Sequence, residues 1–422
     1  MAGEAVLVRP RTPRAASRRA AALALALALA FGASLWSAGP ARSQPAAPAV
    51  DAKAAIVVDA RTGETLHARR AATRLPIASA TKLMTALLVL ERARPGDVFT
   101  AASYRAAPIE SQIGMRPGER MRARDLLTAL LLESANDAAV TIAHNVSGSR
   151  RAFVADMNRR ARELGLSSTT YANPVGFDSP RNRSTARDLA ALSRRLLGVP
   201  LFARTVDRPR ARLRSGARRR TVRNRNTLVA THPFVDGVKT GHTLGASYVL
   251  VGSASRRGAR VLSVVLGAPS EAARNAGSLA LLRWGLDRYE RRRLVAPGRT
   301  VARRPVGGRD AQVALVAPRA LTATVRRDRR PAVRVRAAGE VEGPSPAGRR
   351  VGRVEVVDGR SVIASSPLVT AAAVPAPSLL GRVDGRLAAV AGLTLLGLLA
   401  IVSGAAVLRS RRRRGRATVE AR

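Results

Sequence analysis

The stretch PIASATKLMTALLVLE, residues 76–91, holds one lysine in a chain that hardly uses lysine. Of 73 basic residues only Lys53, Lys82 and Lys239 are lysines; the other 70 are arginines. From Leu83 to Leu90 the stretch is apolar on nearly every side, the pattern of a helix buried at the centre of a domain. At its start Ser79 and Lys82 stand three apart, so they share a face and the lysine amine can reach the serine hydroxyl. A helix N-terminus also favours the negative charge that develops when a serine attacks a carbonyl. Serine equally well caps helices, so this spacing alone is a weak signal.

Outward from this stretch the periodicity changes three times. From Ala54, AAIVVDARTGETLHARR reads as a strand, a turn over residues 61–63 and a second strand. ARDLLTALLLE puts Leu126, Leu127, Leu130 and Leu131 on one helical face, and further helices are predicted over residues 152–164 and 184–197. After Val238 the strand period returns in ASYVLVGSAS and ARVLSVVLGA, joined through RRG and followed by a closing helix in SEAARNAGSLALLRWGLDRYE. Strands at both ends with helices between them predict one α+β unit over residues 50–290, its sheet completed by distant segments. Short Val-rich alternations over residues 295–370, with a tight hairpin at Asp358 and Gly359, predict a small β-rich domain. A Pro-Ala linker over residues 371–386 follows.

The two ends set the location. Residues 1–43 have the order of a secretory signal: arginines from Arg9 to Arg19, an apolar run, then small residues. Residues 387–408 carry no charge, and at ~1.5 Å per residue such a helix spans a bilayer core. The basic tail of residues 409–422 stays cytoplasmic by the positive-inside rule, leaving a single-pass cell-membrane protein whose folded part is extracytoplasmic. A net charge of +45 invites a nucleic-acid partner, but the arginines spread over the whole length and an exported chain is a poor DNA binder. The absence of cysteine excludes thiolate nucleophiles and Cys-based zinc sites. Four scattered histidines form no H-E-x-x-H pair, so no metal is expected.

Two more motifs follow Ser79-Ala80-Thr81-Lys82 in order. Ser134-Ala135-Asn136 falls in a loop between two helices, where a hydroxyl can relay a proton and an amide can hold a substrate amide; both residues also begin helices well. Lys239-Thr240-Gly241 begins a strand whose edge can pair with an extended peptide, with Lys and Thr to hold a carboxylate and Gly to admit close approach. Two of the three lysines fall in these motifs.

The set S-x-x-K, S-x-N, K-T-G resembles the signature of penicillin-binding proteins and serine β-lactamases, with Ser-Ala-Asn here in place of Ser-Asp-Asn. With SQIGMRPGE, YANPVGFD and STARDLAALSR, residues 54–290 resemble the serine D-alanyl-D-alanine carboxypeptidases. The later β module resembles that family's C-terminal domain. Val175 departs from the family, in which many relatives carry histidine, and the spanning anchor departs from its amphipathic one. The resemblance implies the transpeptidase-like α+β fold, an antiparallel sheet with a helical subdomain. It implies that Ser79 attacks the carbonyl between the last two D-alanines of a peptidoglycan stem peptide, with Lys82 as proton acceptor. Ser134 would relay the proton, Asn136 would hold the substrate amide, and Lys239 and Thr240, beside Gly241, would bind the terminal carboxylate. The N–H groups of Ser79 and His242 would form the oxyanion hole. No cofactor is implied, and β-lactams should acylate Ser79.

The rivals are a D,D-endopeptidase, a serine β-lactamase on the same fold, and an idle wall-binding module using its arginines. A class A lactamase needs a glutamate in an E-x-x-L-N-like stretch, and Glu163 is followed by LGLSS instead.

Overall fold

The computed structural model describes residues 45–377 and 385–417. The expected signal segment, the end of the tail and part of the linker lie outside the described residues.

Strand β1 (Ala54–Asp59) is buried along its whole length, AAIVVD, as suits a strand covered on both faces. It pairs antiparallel with β2 (Thr65–Arg69) across the predicted turn. The helical segment then intervenes, and the sheet is resumed 166 residues later by β5 (Val235–Thr243), β6 (Ser247–Arg256) and β7 (Ala259–Ala268), introduced below by the β3–β4 hairpin of Arg210–Leu213 and Arg220–Arg223. The order β2-β1-β7-β6-β5 makes β1, from the start of the domain, the neighbour of β7 from its end. The sheet is thus completed by distant segments, as the periodicity predicts, and β5 lies on its edge.

Helix α1 (Lys82–Arg92) is buried through its first eight residues, so it is the central helix expected from its all-round apolar sequence. Around it pack α2 (Ala123–Leu132), α3 (Asn136–Ser147), α4 (Arg150–Glu163) and α5 (Ala186–Leu197), and the short α6 (Pro200–Val206) packs on α2 and α5. Met84, Leu87, Leu126, Leu130 and Phe153 meet there, each withdrawn from water and each contributing about 1.5–3 kcal/mol of burial. The other sheet face is covered by α7 (Glu271–Asp287), through Leu281, Leu282 and Leu286.

A second module follows. β8 (Tyr289–Val295) pairs with β11 (Leu321–Arg326), and a five-stranded sheet runs β9 (Thr300–Pro305), β10 (Gln312–Val316), β14 (Ser361–Thr370), β13 (Arg350–Asp358), β12 (Ala332–Ala337). It has its own core of Val313, Leu315, Val354, Val356 and Leu368. At its junction with the first unit, Arg326 and Arg329 both engage Glu64, and Arg61 and Arg329 both engage Asp358. Beyond the linker, α8 (Gly385–Ala417) contains Val390–Arg409, 20 residues long enough and apolar enough to cross a membrane.

Candidate active site

Ser79 sits in a 3-10 turn, Ala78–Thr81, rather than in the first turn of α1, which starts at Lys82. The cause lies in the residue before it: Ala78 has φ +45°, a left-handed conformation that an alanine adopts only under constraint. The constraint is visible on both sides. A Cβ on Gly176 (φ +102°) would fall 2.0 Å from the Ala78 carbonyl oxygen, and one on Gly241 would fall 2.8 Å from the Ser79 nitrogen. Two glycines from distant loops and strands therefore clamp the turn that presents the serine.

Lys82 Nζ lies 3.0 Å from Ser79 Oγ and donates to the Val175 carbonyl at 2.6 Å. The lysine is fully buried, 0% exposed, and no carboxylate among the described residues is hydrogen-bonded to it. Burial, then the charge of Lys239, drive its pKa well below the usual lysine value, against the weaker support of Glu110 and Asp137. Burial is the larger cause. Ser79 makes no cap to the helix, which removes the bland reading of S-x-x-K.

Ser134 links α2 to α3 and is itself left-handed, φ +65°. It lines the same cavity as Ser79, about 690 Å³, together with Thr240, Gly241 and His242. Neither Ser134 nor Asn136 caps α3 by its side chain. Asn136 is buried beside the cavity and gives its Nδ2 to Glu110 at 2.8 Å. Lys239 is also buried, its Nζ donating to the Thr240 carbonyl at 2.8 Å. Burial and then Arg274 and Arg225 bring its pKa down to about 7. Its strand begins at Val235, four residues before the motif, because Val235 pairs with Ala254 and is buried against α7's face of the sheet. The His242 ring is exposed and packs on Tyr248, with centroids 4.2 Å apart, and both residues line the cavity.

Three contributors have no signature in the sequence. Arg274 of α7, 3% exposed, lines the cavity near Lys239 and is held by Glu271 at 2.7 Å and by Asn275. Tyr104 and Glu110 form a bonded pair behind Asn136. A buried pair, Arg220 with Glu119 at 2.7 and 2.9 Å, ties the rim hairpin β3–β4 to the loop before α2, and holds the Glu119 carboxyl at about 2. Glu163 lies at the end of α4, paired with Arg160 at 2.9 Å, in agreement with the missing lactamase stretch.

A model of the D-alanyl-D-alanine carboxypeptidase family matches residues 41–270. The chain belongs to that family. A model of the C-terminal domain of penicillin-binding protein 5 matches residues 289–376. The D-alanyl-D-alanine carboxypeptidase DacF of Bacillus subtilis is 36% identical over 54% of this chain and 61% of its own length. DacD of Salmonella typhimurium is 32% identical over 70% of this chain and 80% of its own length. Penicillin-binding protein 5 from Haemophilus influenzae superposes with a TM-score of 0.57 at 27% identity, over 78% of this chain and 99% of that one. The family and fold expected from the three motifs hold, and with them a carboxypeptidase that acts on D-alanyl-D-alanine in cell-wall metabolism.

Proposed function

We propose that the chain removes the terminal D-alanine of peptidoglycan stem peptides through a Ser79 acyl-enzyme. The observation that carries this reading is the fully buried Lys82, 3.0 Å from Ser79 Oγ and with no carboxylate bonded to it among the described residues. A neutral amine there takes the Ser79 hydroxyl proton as Oγ bonds to the penultimate D-alanine carbonyl carbon. The developing oxyanion meets the N–H groups of Ser79 and His242. The C–N bond then breaks, with Ser134 passing a proton to the departing amine, and water hydrolyses the ester.

Asn136 fixes the substrate amide while the peptide lies along the edge strand β5. Thr240 and Arg274 of the cavity wall, with the buried Lys239 behind them, receive the terminal carboxylate, which favours a carboxypeptidase over an endopeptidase. Helix α8 fastens the enzyme to the cell membrane with its folded part outside, and residues 50–290 and 295–370 act as catalytic and accessory domains.

The test is labelling with a fluorescent penicillin beside D-alanine release from a D-Ala-D-Ala pentapeptide. The parent chain should keep the label and release D-alanine, and Ser79→Ala should do neither. Rapid penicillin turnover without D-alanine release, or label retained by Ser79→Ala, would sink the reading.

A further inference from the structure

Glu110 stands in the irregular segment of residues 101–119, half-buried, next to cavity-lining Ile109 and Ser111. Three donors converge on its carboxylate: the Ala107 N–H at 2.8 Å, Asn136 Nδ2 at 2.8 Å, and the Tyr104 hydroxyl. The segment is stapled over the first turn of α3. Asn136 N–H donates to the Ser111 carbonyl at 2.7 Å, and the Asp137 carboxylate accepts from Ile113 at 3.2 Å and Met115 at 3.0 Å. Glu110 is therefore held in place independently of its own side-chain bonds.

Burial pulls the Glu110 carboxyl upward, but the hydrogen bonds from Tyr104, Asn136 and Ala107 and the charge of Lys82 outweigh it and hold it below the usual range. It is ionised at neutral pH and can only accept. An accepting carboxylate admits the nitrogen of an asparagine amide and refuses its oxygen. Asn136 thus has one orientation: Nδ2 towards Glu110, and Oδ1 on the other side with no protein donor among the described residues. The Nδ2 group is engaged by Glu110 and by the neighbouring Tyr104 oxygen, and Oδ1 remains as an acceptor of fixed direction.

We propose that Glu110 is a positioning residue that sets the orientation of the Asn136 amide, so that its free Oδ1 meets the N–H of the substrate amide in one register. The proposal rests on the assignment of Asn136 to the substrate amide made above. In Glu110→Gln the new amide can offer its own N–H to Asn136 Oδ1, which turns Asn136 over and sets donor against donor. The charge matters as well. Glu110 and Asp137 of α3 support the Lys82 ammonium against Lys239 of β5, so removing the Glu110 charge lowers the pH at which Lys82 can accept a proton.

Full-length chain in detergent tests this with Glu110→Gln, Asn136→Ala and the double variant, read as kcat/KM for D-alanine release across pH. Each single variant should lose about tenfold or more, the scale of one hydrogen bond to a charged group. The double variant should lose no more than Asn136→Ala alone, and the acid limb of Glu110→Gln should move to lower pH, a shift that a merely structural defect would not produce. Multiplying losses in the double variant, or an acid limb that stays in place, overturn the proposal. Impaired Asn136→Ala beside unimpaired Glu110→Gln removes the role of Glu110 alone. Parent-like Asn136→Ala refutes the substrate-amide reading, and the role of Glu110 falls with it.

Discussion

The lysines of the cleft and the arginines of the junction between the two modules are treated in opposite ways. At the junction Arg326 is bound by Glu64 and Asp328, and Arg329 by Glu64 and Asp358, so both guanidiniums are held more firmly charged than in water. In the cleft Lys82 and Lys239 are given a hydroxyl and carbonyl oxygens but no carboxylate, and burial drives both towards neutrality. Positive charge is used as adhesive in one place and discouraged in the other. The difference explains why a chain with 70 arginines keeps lysine at position 82: arginine holds its proton at any working pH, and only an amine can be unburdened of one by burial.

The comparison is broken most directly by Lys82→Arg. It restores a permanent charge where the fold removes one, and acylation by penicillin should fall by about 10²–10⁴-fold, the range of general-base catalysis. Labelling at the parent rate would end the proposed role of Lys82. A gentler probe is pH. Lys239, brought to about 7, is charged below that value and neutral above it, so carboxylate binding should weaken as pH rises through it. Above that point kcat/KM for the free enzyme should drop about tenfold per pH unit, while the same limb in kcat moves up because a bound carboxylate supports the ammonium. Steady-state rates with a carboxylate-ended and an amide-ended peptide check this; only the first should show the limb. The smallest effect belongs to the junction. Arg329 is partly exposed, and Arg329→Ala should cost about 1 kcal/mol or less, a loss that shrinks further in high salt and leaves D-alanine release unchanged. Thermal melts at two ionic strengths would expose a larger role.

What could be read in advance follows from how local each feature is. Ser79 and Lys82 are three apart on one turn, so their meeting was legible from spacing alone; the left-handed Ala78 that keeps Ser79 in a 3-10 turn was not, because its causes, Gly176 and Gly241, lie far along the chain. The antiparallel sheet was legible because alternation marks each strand, whereas its order depends on which distant strands meet. Glu110 and Asn136 are 26 residues apart, the first in a segment with no period to announce it. Arg274 was hidden by abundance, one arginine among 70, and only its burial distinguishes it.

The partner that Lys82 finds in residue 175 is a main-chain oxygen. Every amino acid supplies that oxygen, so this contact survives any mutation of the codon that leaves the loop's path intact. The path is guarded next door, by Gly176, where even a methyl group would strike Ala78. The demand on this loop is therefore one of shape: at position 175 only the side chain's own packing is at stake, while a single base change at position 176 is expected to silence the enzyme.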